Sequence, residues 1–368
     1  MKFKVSREEL LKPLQLVVGV VERRQTLPVL ANVLVVLEGD KLSLTGTDLE
    51  VEIVARIQLT QMGESGETTV PARKFVDICR SLPEGAEILI TEEDDKVTLK
   101  TGSSRFVLST LPSSNFPNVE QGAGQLQFDC PPLLVKQLID NTSFAMAQQD
   151  VRYYLNGMLW EVQSGHLRCV ATDGHRLAMC TKPLDTSVDG TVQVVVPRKG
   201  ILELSRLLSD EDVTTVAIAM GDKHLQVATE GFTFTSKLVD GKFPDYERVL
   251  PRGGDNILFA DRQALRQAFS RVAILSNEKY RGVRLTVADG TMVLVANNPE
   301  QDEAEEQVAV DYTGDSLEIG FNIGYLLDVT NVLTSDNIKV TFVDSNTSAL
   351  VEAPEGGDAT YVIMPMRL

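Results

Sequence analysis

The chain has 368 residues, 43% of them apolar, and a formal charge of −17 from 35 basic and 52 acidic side chains. That length exceeds one ordinary core and implies two or three domains. The acidity excludes a protein that grips nucleic acid by bulk positive charge, and no run approaches the roughly 18 apolar residues of a membrane span.

The opening MKFKVSREELLK is charged from its second residue, so no secretory signal is expected. Cys79, Cys130, Cys169 and Cys180 lack C-x-x-C spacing and read as buried free thiols of a reducing cytoplasm. Ser6-x-x-Glu9 forms a capping box, and Leu10, Leu14, Val17, Val18 and Val21 follow at helical spacing, which predicts a helix over 7–21. Val29–Leu37 and Lys41–Thr45 predict a hairpin, Thr47-Asp48 a turn and Glu50–Leu59 a strand. Pro71 opens a second helix, Ala72–Leu82, at a position where proline is tolerated. Strands are expected around Ile88–Thr91, Lys96–Thr101 and Arg105–Leu111, then a linker over Pro112–Gly124.

The order then recurs. Helix Leu133–Met146, strands Gly157–Val162 and His166–Ala171, turn Thr172-Asp173, strand Val192–Val196 and a helix from Pro197 through Leu208 make a second pass. Helix Arg262–Leu275, strands Gly282–Val287 and Met292–Ala296, turn Asn297-Asn298 and a helix over Ile323–Leu333 make a third. Leu42, Leu167 and Met292 are spaced by 125 residues, as are Thr47-Asp48 and Thr172-Asp173. Pro71 and Pro197 are 126 apart, and Phe116-Pro117 and Phe243-Pro244 are 127 apart. Such a period predicts an α+β chain of three like domains, each of two helices and mostly antiparallel strands, over 1–125, 126–253 and 254–368.

Asp173 and His175 are a candidate base and orienting partner, which would make the chain a hydrolase. No nucleophile motif accompanies them, and Thr172-Asp173 matches the turn Thr47-Asp48. The three histidines have no metal-ligand spacing, and no phosphate-binding glycine loop occurs. Arg73, Asp77 and Arg80 recur as Lys199, Glu203 and Arg206, so two equivalent helices carry basic faces, laced by pairs such as Arg73–Asp77. With Arg23-Arg24 and Arg198-Lys199 these suggest a polyanion partner, and Arg152-Tyr153-Tyr154 suits phosphate contact and base stacking. A three-domain scaffold that never touches nucleic acid is the bland alternative.

The acidic run Glu300–Glu306 reads as a solvated loop. Set against Lys74, Lys96, Lys100 and Arg105 in the first domain, it favours head-to-tail association, which closes into a ring if the rotation allows. The terminal ATYVIMPMRL, Ala359–Leu368, reads as a strand that serves either core packing or an adaptable binding surface.

Many long blocks resemble one family: TLPVLANVL (26–34), LSLTGTDLE (42–50), VPARKF (70–75), QDVRYYLNGML (149–159), VATDGHRLA (170–178) and VPRKG (196–200). FTSKLVDGKFPDY (234–246), AILSNEKYRGVRL (273–285), NNPEQ (297–301) and YVIMPMRL (361–368) extend the likeness along the whole chain. The chain resembles the bacterial DNA polymerase III beta subunits, the DNA sliding clamps. The resemblance implies a head-to-tail homodimeric ring of three-domain subunits around duplex DNA, non-catalytic, cytoplasmic, with no cofactor, no metal and no membrane association. It implies DNA contacts at Arg24, Arg73, Gln149, Tyr153 and Tyr154. It implies a peptide pocket at Leu155, Thr172, Gly174, His175, Arg176, Leu177, Pro244, Arg248 and Val249. Val362, Met364, Pro365, Met366 and Arg367 complete that pocket. Its occupants would be the replicative polymerase alpha subunit, the clamp loader delta subunit, and other polymerases and repair proteins bearing short clamp-binding peptides. A dimer interface is implied between Lys74, Arg105 and Phe106 on one subunit and Ile274, Leu275, Glu300 and Glu305 on the next. Ser103 departs from clamps that carry a further arginine there.

Overall fold

A computed structural model describes residues 1–22, 27–117, 124–209 and 213–367. The first copy of the repeat holds β1 (Lys2–Ser6), α1 (Arg7–Val18), β2 (Asn32–Glu38), β3 (Lys41–Thr47) and β4 (Val51–Gln58). It continues with β5 (Gly66–Pro71), α2 (Ala72–Ser81), β6 (Glu87–Glu93), β7 (Lys96–Thr101) and β8 (Ser104–Ser109). The second copy runs β9 (Leu126–Cys130), α3 (Pro132–Thr142), β10 (Gly157–Gln163), β11 (His166–Thr172) and β12 (Arg176–Pro183). Then come β13 (Val192–Pro197), α4 (Arg198–Leu207), β14 (Val216–Met220), β15 (His224–Ala228) and β16 (Phe232–Lys237). The third copy is β17 (Asn256–Asp261), α5 (Arg262–Val272), β18 (Gly282–Ala288), β19 (Thr291–Asn297) and β20 (Glu303–Ala309). It ends with β21 (Asp311–Thr313), β22 (Leu317–Asn322), α6 (Ile323–Val332), β23 (Asn337–Phe342), β24 (Ala349–Glu352) and β25 (Ala359–Ile363).

Each copy builds two antiparallel four-stranded ladders. The first type is β1-β6-β7-β8, β9-β14-β15-β16 and β17-β23-β24-β25; the second is β5-β2-β3-β4, β13-β10-β11-β12 and β22-β18-β19-β20. Ladders of successive copies then fuse edge to edge, β4 to β16 and β12 to β25, so the chain holds an eight-stranded and a nine-stranded sheet. For this reason its contacts divide it differently from its repeat. One compact unit is 1–133 with 199–238, the other 134–198 with 239–368, and the middle copy contributes a ladder to each.

Within the first unit α1 starts as its sequence dictates, with Ser6 and Glu9 forming a reciprocal capping box. It ends at Val18 rather than at 21, and Arg206 satisfies carbonyls of its last turn, donating to Leu16 O at 2.7 Å and Gln15 O at 3.4 Å. α3 and α5 likewise stop short of the predicted Met146 and Leu275, each closing in a 3-10 turn, Ser143–Ala145 and Ala273–Leu275. Pro28–Ala31 is 3-10 rather than the start of a strand, since Pro28 fixes φ and withholds a donor. The predicted linker holds a 3-10 turn at Ser113–Asn115, and 118–123 lies outside the described residues.

The solvated-loop reading of the acidic run is corrected: Glu303–Glu306 belong to β20, paired with β19 and alternating exposed and half-buried along an edge. The Arg73–Asp77 pair is also corrected. Asp77 lies 3.7 Å from Arg80, and Arg73 donates instead to Val21 O at 3.2 Å.

Candidate functional site

Threonine and aspartate build the same turn twice. Thr47 Oγ1 donates to Val51 O and accepts from Leu49 N, while Asp48 Oδ1 accepts from Glu50 N and Val51 N. Thr172 Oγ1 donates to Arg176 O and accepts from Gly174 N, while Asp173 Oδ1 accepts from His175 N and Arg176 N. Asp173 spends its second oxygen on Arg176 Nε at 3.2 Å. Its carboxylate therefore shapes the turn and anchors Arg176, which is the role of an Asx residue and not of a catalytic base.

That second turn belongs to the second unit and leads into an apolar cluster. Leu177 and Val362 face each other across the β12–β25 joint and pack with Leu159, Val170, Val195, Phe243 and Tyr246. Val249, Leu250, Met179 and Leu350 are half-buried against the same cluster. Leu155 is buried nearby in sequence, at the end of the 3-10 turn Tyr153–Leu155. Beyond β25 the chain stays against the turn, with Met364 N donating to His175 O at 2.9 Å and Met366 N to Gly320 O at 2.8 Å. Met364, Pro365 and Met366 are half-exposed; Pro244, Arg248, His175 and Arg367 are exposed. Arg248 pairs with Asp245 at 2.7 Å. The structure thus gathers Leu177, Val249 and Val362 on one apolar floor, with polar groups at its rim.

Sequence reasoning missed what holds that floor. Glu161, only 3% exposed, accepts from Tyr246 Oη at 2.9 Å, Gln193 Nε2 at 2.6 Å and Arg168 Nη1 at 3.3 Å, and Arg168 also donates to Tyr246 Oη at 2.8 Å. Burial pushes the Tyr246 hydroxyl up to about 12. Glu161 and Arg168 are direct cross-strand partners, so an opposite-charge pair flanking the Ser164-Gly165 turn was the available signal. Arg176 is more committed than a rim residue. It pairs with Asp173 and Asp328, donates to Phe144 O at 2.7 Å, and lies 5.2 Å and 4.4 Å from the ring centroids of Phe144 and Tyr325.

The loop before Leu155 carries the predicted DNA contacts of this unit. Gln149 is exposed with φ +57°, and Tyr153 is 57% exposed, its ring edge-on to Tyr154 at 5.8 Å. Arg73 stands exposed on α2 in the first unit, and Arg24 lies outside the described residues. The expectation of two equivalent open basic faces is corrected for α4. Lys199 is held by Glu22 and Asp48, and Arg206 by Glu203 and the end of α1. A cleft of about 1090 Å³ in the first unit, lined by Lys12, Glu38, Arg56 and Glu230 among others, contains none of the predicted residues.

Of the predicted interface residues, Arg105, Phe106 and Glu305 sit on ladder edges, and the others on a helix, a turn or a loop. Arg105 (exposed) and Phe106 (half-buried) lie on β8, and Lys74 is exposed on α2. Glu305 is exposed on β20, Glu300 just before it, and Ile274 is 76% exposed beside the half-buried Leu275.

Family models for the DNA polymerase III beta subunit match the chain in three blocks: the N-terminal domain over 1–120, the central domain over 130–245 and the C-terminal domain over 247–367. The beta sliding clamp of Pseudomonas aeruginosa is 61% identical over 368 residues, covering both chains completely. That of Escherichia coli K12 is 52% identical over the same span. A crystal structure of the DNA polymerase III subunit beta from P. aeruginosa superposes with a TM-score of 0.98 at 61% identity over all of both chains. No described helix is long and apolar enough to cross a membrane. The chain belongs to the DNA polymerase III beta-subunit family, the DNA sliding clamps that serve the polymerase as non-catalytic processivity factors.

Proposed function

We propose that two copies of this chain close head to tail into a ring around duplex DNA in the cytoplasm. The observation that carries this reading is the repeated joint. β4 meets β16 with Val51 opposite Ser236 and Ala55 opposite Phe232. β12 meets β25 with Arg176 opposite Ile363 and Cys180 opposite Ala359. Counted along their own ladders these are the same register. The two remaining ladders have β1, β8, β20 and β22 at their edges, of which β8 corresponds in ladder position to β16 and β25, and β20 to β4 and β12. Carrying the register to a third joint sets Glu303, Ala304, Glu305 and Glu306 of one subunit opposite Val107, Phe106, Arg105 and Ser104 of the partner subunit.

The third joint then differs chemically from the first two. Glu305 opposite Arg105 takes the place of Val54–Thr233 and Met179–Thr360. A joint with complementary charge on a solvated edge can separate and re-form, while covalently continuous joints need no such device. Heterologous edges that close by rotation give a ring.

Enclosure retains DNA without tight contacts, and sparse phosphate contacts by Arg24, Arg73, Gln149, Tyr153 and Tyr154 carry no sequence information. An acidic exterior keeps the duplex off the outer surface. The floor of Leu177, Val249 and Val362 would accept extended apolar peptides from the replicative polymerase alpha subunit, the clamp loader delta subunit and other polymerases and repair proteins. We read the three domains as dividing near 125 and 253.

The test is retention. Protein loaded on a closed circular duplex should survive gel filtration in high salt and be lost once the circle is linearised. Equal loss from both forms overturns enclosure, and a solution mass equal to one 40.4 kDa chain overturns the ring.

A further inference from the structure

The geometry points to Arg152 as a positioning residue that couples the DNA-contact loop to the peptide pocket; this rests on the site reading above. Asp150 holds Arg152 by a bidentate pair, Nε to Oδ1 at 3.0 Å and Nη2 to Oδ2 at 2.9 Å, and Arg152 N also donates to Oδ1 at 2.8 Å. The same Nη2 donates to the carbonyl of Asp173 at 3.3 Å. One guanidinium therefore bridges the loop of Gln149–Tyr154 and the turn that presents His175.

The turn is shaped to receive it. Gly174 adopts φ +89°, and a Cβ there would come within 2.9 Å of Nη2 and 3.0 Å of Nη1. Glycine takes that backbone without strain and leaves the guanidinium its seat, which a Cβ would push aside. The loop end is tensioned: Gln149 stands at φ +57°, a region that costs a non-glycine residue about 1 kcal/mol or more. Asp150 fixes it further, with Asp150 N donating to Asn156 Oδ1 and Asn156 Nδ2 to Asp150 O, both at 2.9 Å.

Arg152 remains 46% exposed on its side chain, so a phosphate reaching Gln149 and Tyr153 competes with Asp150 for the same fork. If the phosphate wins, the bond to Asp173 O is given up and the turn loses its outer anchor. Arg152 thus has two exclusive positions, one bracing the pocket and one answering DNA. DNA contact then weakens peptide binding, and by linkage peptide binding weakens this DNA contact by the same factor. The loop and the pocket would oppose each other by that factor without excluding one another, so a ring on DNA still holds a partner peptide.

The experiment measures binding of a fluorescent short peptide copied from a clamp-binding segment of the polymerase alpha subunit, to the full-length protein free and loaded on circular duplex DNA. The wild type should bind the peptide about fivefold more weakly on DNA, the low end of known couplings. Arg152→Gln and, independently, Asp150→Asn should give one affinity in both states, near the DNA-loaded value. Equal wild-type affinities on and off DNA overturn the proposal. So does a variant that weakens both states by the same factor and keeps their ratio, the behaviour of a residue that merely supports the fold. Peptide binding untouched by His175→Ala and Val362→Ala overturns the pocket reading itself, separately from the coupling.

Discussion

Arg206 lies against Gly19: its Nη2 donates to Leu16 O at 2.7 Å, and a Cβ on Gly19 would come within 2.3 Å of that nitrogen. Gly19 has ordinary right-handed helical angles, φ −56° and ψ −38°. Alanine there gains up to about 1 kcal/mol of helix propensity, yet it evicts a guanidinium that caps two carbonyls, each charge-assisted bond contributing about 1.5–3 kcal/mol before solvent screening. Gly19→Ala should therefore destabilise the protein by about 1–2 kcal/mol, read from urea denaturation. In an Arg206→Ala, Glu203→Ala background, which also clears the Glu203 Oε2 that would lie 2.7 Å from the new Cβ, the same change should stabilise by up to about 1 kcal/mol. A destabilising effect of equal size in both backgrounds would refute the capping role.

The third joint makes a charge-swap prediction. Arg105→Glu and Glu305→Arg each place like charges opposite one another and should raise the dimer dissociation constant at least about tenfold, a loss near 1.4 kcal/mol. The two changes combined in one chain restore opposite charge at both joints of the ring and should recover most of the affinity. Sedimentation equilibrium at low and high salt reads both effects, and the single variants should lose the wild type's salt dependence. Additive damage in the double variant would mean that the two side chains do not meet.

What was legible in the sequence follows the range of the interaction. Thr47-Asp48 and Thr172-Asp173 were readable as turns because their bonds close over two to four residues. The repeat was readable because its offsets survive low identity. The joint strand β16 was not, since FTFTSK is buried at five of six positions and shows no alternation once both faces are covered. β20 failed oppositely: an acidic edge strand with solvated side chains looks like a loop. The open basic face of α4 was an error of distance, because Glu22 and Asp48 reach Lys199 from far along the chain. That the C-terminal strand packs into the apolar cluster could be guessed from composition, while the Glu161–Tyr246 bond joins residues 85 apart in sequence and could not.

All four cysteines are free and buried. Burial pushes the thiols of Cys79 and Cys130 up to about 12 and that of Cys180 up to about 11, from an ordinary 9.0, and raises that of Cys169 well above 9.0 too. The native protein thus keeps protons that the unfolded chain releases once pH passes about 9. More protons bound in the folded state means that stability falls as pH rises. The contribution is intact below pH 9 and is lost progressively through pH 11 to 12, with Tyr246, up to about 12 from 10.0, adding to the loss. Urea midpoints should be flat from pH 7 to 8.5 and decline above, less steeply in Tyr246→Phe. Ellman's reagent should label the native protein slowly at pH 8 and all four thiols in urea. Fast native labelling at any one cysteine would contradict its burial.

The twin turns give a paired prediction of opposite sign. Leu49 and Gly174 are equivalent, both at positive φ, +77° and +89°. A leucine in that conformation stores strain that glycine does not, while glycine costs more entropy to order. Leu49→Gly should therefore change stability by less than about 1 kcal/mol, in the stabilising direction. Gly174→Ala meets the same backbone penalty and also displaces Arg152 from its seat, so it should destabilise by about 1–2 kcal/mol. The decisive measurement is peptide affinity off DNA, which Leu49→Gly should leave unchanged and Gly174→Ala should lower together with the loss of the Arg152 bridge. If Gly174→Ala lowered stability and yet kept full peptide affinity, the turn would be a scaffold only, and the link from Arg152 through Asp173 to the pocket would fall.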